Sequence, residues 1–214
     1  MEGKIGMRVA IVGASGGIGG ELAQRLEAKG HEVLRLGRGY DPDFGPIDAA
    51  VNCAGSILLK PAHITTDAEF DATLEANLKT AFVLLRAAVK NMPNGGSIVL
   101  VATAAARMGY ANHEAIAAAK GGVMGLTLSA AATYANRNIR VNCVAPGLVD
   151  TKLSAKITGN EAALKTSQSL HALGRIGKPR DVAKMIEFLL DPENDWITGQ
   201  VFGVDGGLGT LRAR

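Results

Sequence analysis

The feature that most constrains this chain is its alternation of short apolar runs with helical patterns. Arg8-Val-Ala-Ile-Val12 is a buried-strand run that ends in Gly13. The helical spacing of Ile18, Leu22 and Leu26 follows at once and stops at Gly30. Val33 to Leu36, Ala49 to Asn52, Ser97 to Ala102, Ile139 to Val144 and Val201 to Val204 repeat the strand signature, with helical stretches between most of them. Strands that are apolar throughout are covered on both faces, so the pattern predicts a doubly wound parallel α/β sheet. With 214 residues, 47% of them hydrophobic, the chain can bury one core and is short for two. A single domain over residues 1–214 is expected.

Three longer helices stand out. Thr66 to Asn91 reads as one helix capped by Thr66 or Asp67, with Phe70, Leu74, Leu78 and Phe82 on one stripe. A second starts after Asn112 and runs to about Asn136. A third covers Asp181 to Leu190 and is ended by Asp191-Pro192. No internal repeat or Pro-rich linker marks a domain boundary.

A net charge of +3 without a run of consecutive Lys or Arg leaves no electrostatic footprint for nucleic acid or an anionic membrane, so the expected partner is a small molecule. Cys53 and Cys143 are isolated and lack metal-ligand spacing, which is the pattern of reduced packing thiols. No apolar run is read as long enough to span a bilayer, and Met1 to Gly6 lacks the apolar stretch of a signal peptide. A cytoplasmic location is the expectation.

Gly13-Ala-Ser15-Gly16-Gly17-Ile18-Gly19 lies where the first strand hands over to the first helix. Its glycines allow a tight turn and close approach of a pyrophosphate to the helix N-terminus. A strand before and a helix after favour nucleotide binding over a plain flexible turn. An NAD-binding domain of Rossmann type places an acidic residue at the end of the second strand, where this chain has Gly37 and then Arg38. A guanidinium there suits a 2′-phosphate, which favours NADP(H) over NAD(H); the alternative for Arg38 is a solvated surface charge.

These features, with Asn52-Cys-Ala54-Gly55, Asn77, Arg140-Val-Asn-Cys-Val-Ala-Pro146-Gly147, Ile197-Thr-Gly-Gln200 and Val204-Asp-Gly-Gly207, resemble the short-chain dehydrogenase/reductase family over nearly the whole chain. The resemblance implies a Rossmann-type oxidoreductase of carbonyls, alcohols or conjugated alkenes. It implies that Asn52, Ala54 and Gly55 line the cofactor cleft and that Pro146, Gly147 and Thr151 lie beside the nicotinamide. Gly206 and Gly207 read as turn residues. Relatives also pair the helices of residues 66–91 and those following Asn112 into dimers and tetramers. The Ala-rich faces at Ala117 to Ala119 and Ala130 to Ala132 fit such pairing, with packing inside one subunit as the alternative.

Two departures stand against the resemblance. Only Gly39 to Pro46 separate the second strand from the approach to the third, where family members carry a helix, a strand and another helix. The sheet is therefore expected to be one strand narrower and the adenine side more open. The family's proton-transferring Tyr stands four residues before a Lys. Lys120 matches that Lys, but Ile116 occupies the Tyr position, and Thr103 replaces the Ser that orients the substrate oxygen. Isoleucine has no ionisable group. His113 lies on roughly the same helix face as Ile116 and Lys120, at the spacing that resembles the enoyl-acyl-carrier-protein reductases. The expected catalytic set is thus Lys120, Thr103, Asn77 and His113, with Tyr110 a minor candidate and Lys120 doubling as a cofactor residue. The alternatives are a surface His113 beside an Asn112 cap, and a family relative that kept the cleft and lost the chemistry. Leu148 to Leu170, with Leu153, Ile157 and Leu164, reads as a partly apolar pocket wall and does not identify the substrate.

Overall fold

The computed structural model describes residues 6–37, 39–41 and 43–211. Arg38, read as the 2′-phosphate partner, lies outside them. Six parallel strands, β1 (Arg8–Val12), β2 (Glu32–Leu36), β3 (Ala49–Asn52), β4 (Gly96–Val101), β5 (Ile139–Pro146) and β6 (Val201–Val204), form one sheet in the order β2-β1-β3-β4-β5-β6. The helices are α1 (Gly17–Ala28), α2 (Asp67–Leu74), α3 (Thr80–Lys90), α4 (Glu114–Tyr134), α5 (Ala155–Thr158), α6 (Glu161–Leu170) and α7 (Pro179–Leu190).

Successive residues of each strand point to opposite faces, and both faces are buried. Ala10 and Val12 of β1 join one core cluster with Leu84, Leu85 and Ala88 of α3 and Val123 of α4. Val9 and Ile11 join the other, with Leu22 and Leu26 of α1 and Val182, Ile186 and Leu189 of α7. This is the doubly wound arrangement that the uninterrupted apolar strands require.

The sheet has the narrowed form that the short stretch before β3 predicts. Between β2 and β3 the described residues form no helix; instead Tyr40 and Phe44, their rings 6.1 Å apart, pack on the first core cluster. Arg8 anchors this crossing. Its Nη1 donates to the carbonyls of Phe44 and Pro46, each at 2.8 Å, and its Nε pairs with Glu32.

The stripe expected on residues 66–91 is corrected. Thr66 caps α2 in a capping box with Glu69, but Phe70 and Phe82 are 38% and 48% exposed. A π-helical turn, Glu75–Lys79, joins α2 to α3, and the buried positions are Thr73, Asn77, Ala81, Leu84, Leu85, Ala87, Ala88 and Val89, with Leu78 of the expected stripe packed on the first core cluster. A second correction concerns α4. With its extension to Arg137 it is long and apolar enough to cross a membrane by length and composition, contrary to the reading of the sequence. Ala115, Ile116, Ala119, Val123, Ala130 and Ala131 are buried in the fold, and Val123, Ala130 and Ala131 join the first core cluster.

Candidate functional site

The chain leaves β1 and β3 toward opposite edges of the sheet, so a crevice opens at their carboxyl ends, the position where doubly wound sheets bind ligands. Both turns there are built on glycine. Gly13 has φ 83°, and a Cβ on it would lie 2.7 Å from the Ala54 nitrogen, so the two turns pack backbone to backbone. Gly17 faces Thr151 across the crevice, where a Cβ would meet the threonine methyl at 2.6 Å. Gly19 is pressed against Gly13 in the same way.

Helix α1 starts from Gly16 without a side-chain cap and without an acidic residue in its first turn. Its leading N–H groups are therefore available to an anion, beside exposed Ser15 and half-buried Ile18. Asn52 plays a different part from the one expected of a cleft-lining side chain. Its Oδ1 accepts from Ala54 N and its Nδ2 donates to Thr80 Oγ1, so it braces the turn to α3.

A cavity of about 310 Å³ continues from this crevice, and the catalytic candidates converge on it. Asn77, Thr103, Tyr110, His113, Ile116 and Lys120 line it, together with Ala54, Gly55, Pro146, Gly147 and Thr151. Ile116 is 5% exposed and stands in the wall, at the position where the family resemblance has a tyrosine. Lys120 is 7% exposed and donates to the Val101 carbonyl at 2.7 Å. Burial lowers its pKa to about 8. Thr103 accepts from Ala105 N and donates to Pro146 O at 3.5 Å. Asn77 sits in the π turn, its Oδ1 accepting from Ser56 N and its Nδ2 donating to Ser56 Oγ and Thr73 O.

His113, and not Asn112, occupies the cap position of α4; Asn112 is in the left-handed region at φ 64°. A carbonyl only accepts, so the 2.8 Å contact from Nδ1 to Ala111 O places the ring hydrogen on Nδ1 and leaves Nε2 as an acceptor. The Tyr110 ring lies 5.7 Å away, and its hydroxyl donates to Leu208 O. Burial raises the Tyr110 pKa, reinforced by Asp205.

Three polar residues of the site are invisible in the sequence pattern. Ser56 is held by Asn77 from twenty-one positions away, and Ser154 ties Thr151 to Val149. His171 donates from Nδ1 to Ser167 O and accepts Leu148 N–H at Nε2. A histidine directly after an amphipathic helix carries no sequence signal of that role.

Fold and crevice together define a doubly wound α/β protein of Rossmann type. The family model described as enoyl-(acyl carrier protein) reductase matches residues 35–209. A 3-oxoacyl-(acyl-carrier-protein) reductase of Thermotoga maritima is 41% identical over 175 residues, covering 77% of this chain and 67% of that protein. A short-chain dehydrogenase/reductase of Pyricularia oryzae is 38% identical over 186 residues, covering 84% and 69%. Among solved structures, a short-chain oxidoreductase of Burkholderia thailandensis superposes with a TM-score of 0.87 at 28% identity, covering 96% and 93%. ElxO with NADP bound gives 0.87 at 26%, covering 95% and 99%. The chain belongs to the short-chain dehydrogenase/reductase family.

Proposed function

We propose that the protein binds NADP(H) in this crevice and catalyses hydride transfer to or from a carbonyl/alcohol or conjugated alkene. The observation that carries the reading is the contact of the Gly13 turn with the Ala54 turn at the switch point, opening directly onto a cavity lined by Lys120, Asn77 and Thr103. Similarity to ElxO, solved with NADP bound, supports a nicotinamide cofactor, and Arg38 motivates the choice of NADP(H).

When bound, the cofactor supplies or accepts the hydride. The first-turn N–H groups of Gly17, Ile18 and Gly19 would hold its pyrophosphate, with Gly13, Ser15 and Gly16 leaving room for the approach. Asn52 holds the turn carrying Ala54 and Gly55, and Pro146, Gly147, Thr151 and Lys120 would receive the nicotinamide end. Thr103 orients the substrate oxygen and Asn77 fixes the adjoining Ser56 hydroxyl. His113 Nε2 takes up a proton in alcohol oxidation and, once charged, returns it in reduction. Buried Ile116 favours the second reading, a family member that keeps the cleft with impaired chemistry.

A cytoplasmic homodimer or homotetramer completes the proposal. Leu128 of α4 is 55% exposed, and Gly121 and Gly125 have no atom close to where a Cβ would stand, which permits close approach of a second helix. Ala119, Ala130 and Ala131 are already used in the chain's own interior. Sedimentation equilibrium tests this: a monomer sinks it.

Titration with NADPH and with NADH, read by nicotinamide fluorescence and thermal stability, tests the cofactor. Saturable binding with NADPH preferred is expected. Absence of binding by either overturns the enzyme reading.

A further inference from the structure

The cation at the floor of the cavity has no anion beside it. Among the described residues no carboxylate pairs with Lys120; Val101 O is its protein acceptor, which leaves two of its three N–H positions unclaimed. The titratable groups whose charge acts on it are thiols, Cys53 from the end of β3 and Cys143 from β5, while Tyr110 and His113 border the same cavity. Burial pushes the two thiols to about 12 and about 11, so both are uncharged at neutral pH and offer no counter-charge. At the position four residues before it, where a phenol would donate or accept, stands the side chain of Ile116.

The surroundings are those of a nucleophile. A Cβ built on Gly55 would lie 2.8 Å from Asn77 Oδ1 and 3.4 Å from Lys120 Nζ, so the turn packs against both side chains as glycine, and Lys120 borders the cavity beside it. Ile18, Val101, Ile116 and Val149 make the lining largely apolar, while Ser56 Oγ and Thr103 Oγ1 supply hydroxyls. An amine desolvated in an apolar pocket is partly neutral near physiological pH, and the neutral form attacks carbonyl carbon.

We propose that Lys120 is a carbonyl-capturing amine, which forms an imine with small aldehydes or ketones that enter the cavity. The Nζ lone pair adds to the carbonyl carbon, and the carbonyl oxygen departs as water carrying both amine hydrogens. A C=N bond then replaces C=O, with no change of oxidation state. Imine formation activates the adjacent carbon toward proton loss, an activity separate from hydride transfer and independent of the cofactor reading.

The test is reductive trapping. The whole protein is treated at pH 7 with limiting propanal and sodium cyanoborohydride, digested and mapped by mass spectrometry. With its pKa at about 8, Lys120 carries roughly a hundredfold more neutral amine than an exposed lysine near 10.4. N-propylation at Lys120 ahead of Lys29, Lys79 and Lys152 is expected, along with its loss in a folded Lys120→Arg protein. Modification spread over the surface lysines with Lys120 untouched overturns the proposal, and mapping of the wild-type protein decides this even if the variant fails to fold. The two readings separate cleanly. Trapping without NADPH binding refutes the cofactor proposal alone, and NADPH binding without trapping refutes the amine alone.

Discussion

His171 Nε2 accepts the backbone N–H of Leu148 at 3.2 Å, so one imidazole joins the start of the cavity wall to the residue that follows its last helix. With Nδ1 donating to Ser167 O at 2.6 Å, the ring is 3% exposed and fully engaged.

Replacing this histidine leaves the Leu148 N–H without its acceptor and takes from Ser167 O its side-chain donor, so that the backbone N–H of residue 171 at 3.3 Å is what remains on that carbonyl. His171→Phe is expected to cost about 1–3 kcal/mol of stability and to raise proteolytic cleavage between residues 150 and 170. Urea unfolding and limited proteolysis check both, and an unchanged cleavage pattern would show that α5 and α6 are held by other contacts.

Lys120 makes stability depend on pH in a defined direction. Its folded pKa is lowered, so between about pH 8 and about pH 10.5 the unfolded chain binds more protons and stability rises with pH. Below pH 8 both states are charged, and the folded state carries the full desolvation penalty, on the order of 3 kcal/mol. Relative to Lys120→Met, the wild-type protein should therefore gain stability as pH is raised from 7 to 10. Paired urea titrations at the two pH values read the difference, and a constant gap would contradict the burial described.

Ile116→Tyr places a phenol four residues before Lys120, in a wall bordering about 310 Å³ of space. NADPH-dependent reduction of a ketone and diketone panel is expected to rise by roughly 10²–10⁴-fold, the usual contribution of a positioned proton donor. Equal rates in the two proteins would mean that proton supply does not limit the reaction.

Arg8→Ala removes the clamp on the crossing between β2 and β3. Loss of its bonds to Phe44 O, Pro46 O and Glu32 is expected to cost about 1–3 kcal/mol. Hydrogen exchange should quicken first around residues 43–48. Uniform quickening over the whole sheet would instead indicate global unfolding.

Strands and glycine turns were legible because their signals are local. Alternating side-chain direction makes Val9 and Ile11 as apolar as Ala10 and Val12 only if both faces are covered, and Gly13 and Gly19 occupy positions that a side chain would block. The register of Phe82 was not legible from the stripe that begins at Phe70, since a π turn between them adds one residue without changing the apolar spacing around it. Ser56 and His171 act through partners more than twenty positions away, and no window of sequence contains both ends of such a contact.

The missing strand also leaves its mark at the sheet boundary. No described strand pairs with the outer side of β2, so its backbone groups there are an open template for another chain. Two of its five residues are ion-paired, Glu32 with Arg8 and Arg35 with Glu27. A strand docking there would lie against a five-residue edge that carries charged side chains at two positions, a composition that disfavours edge-to-edge aggregation.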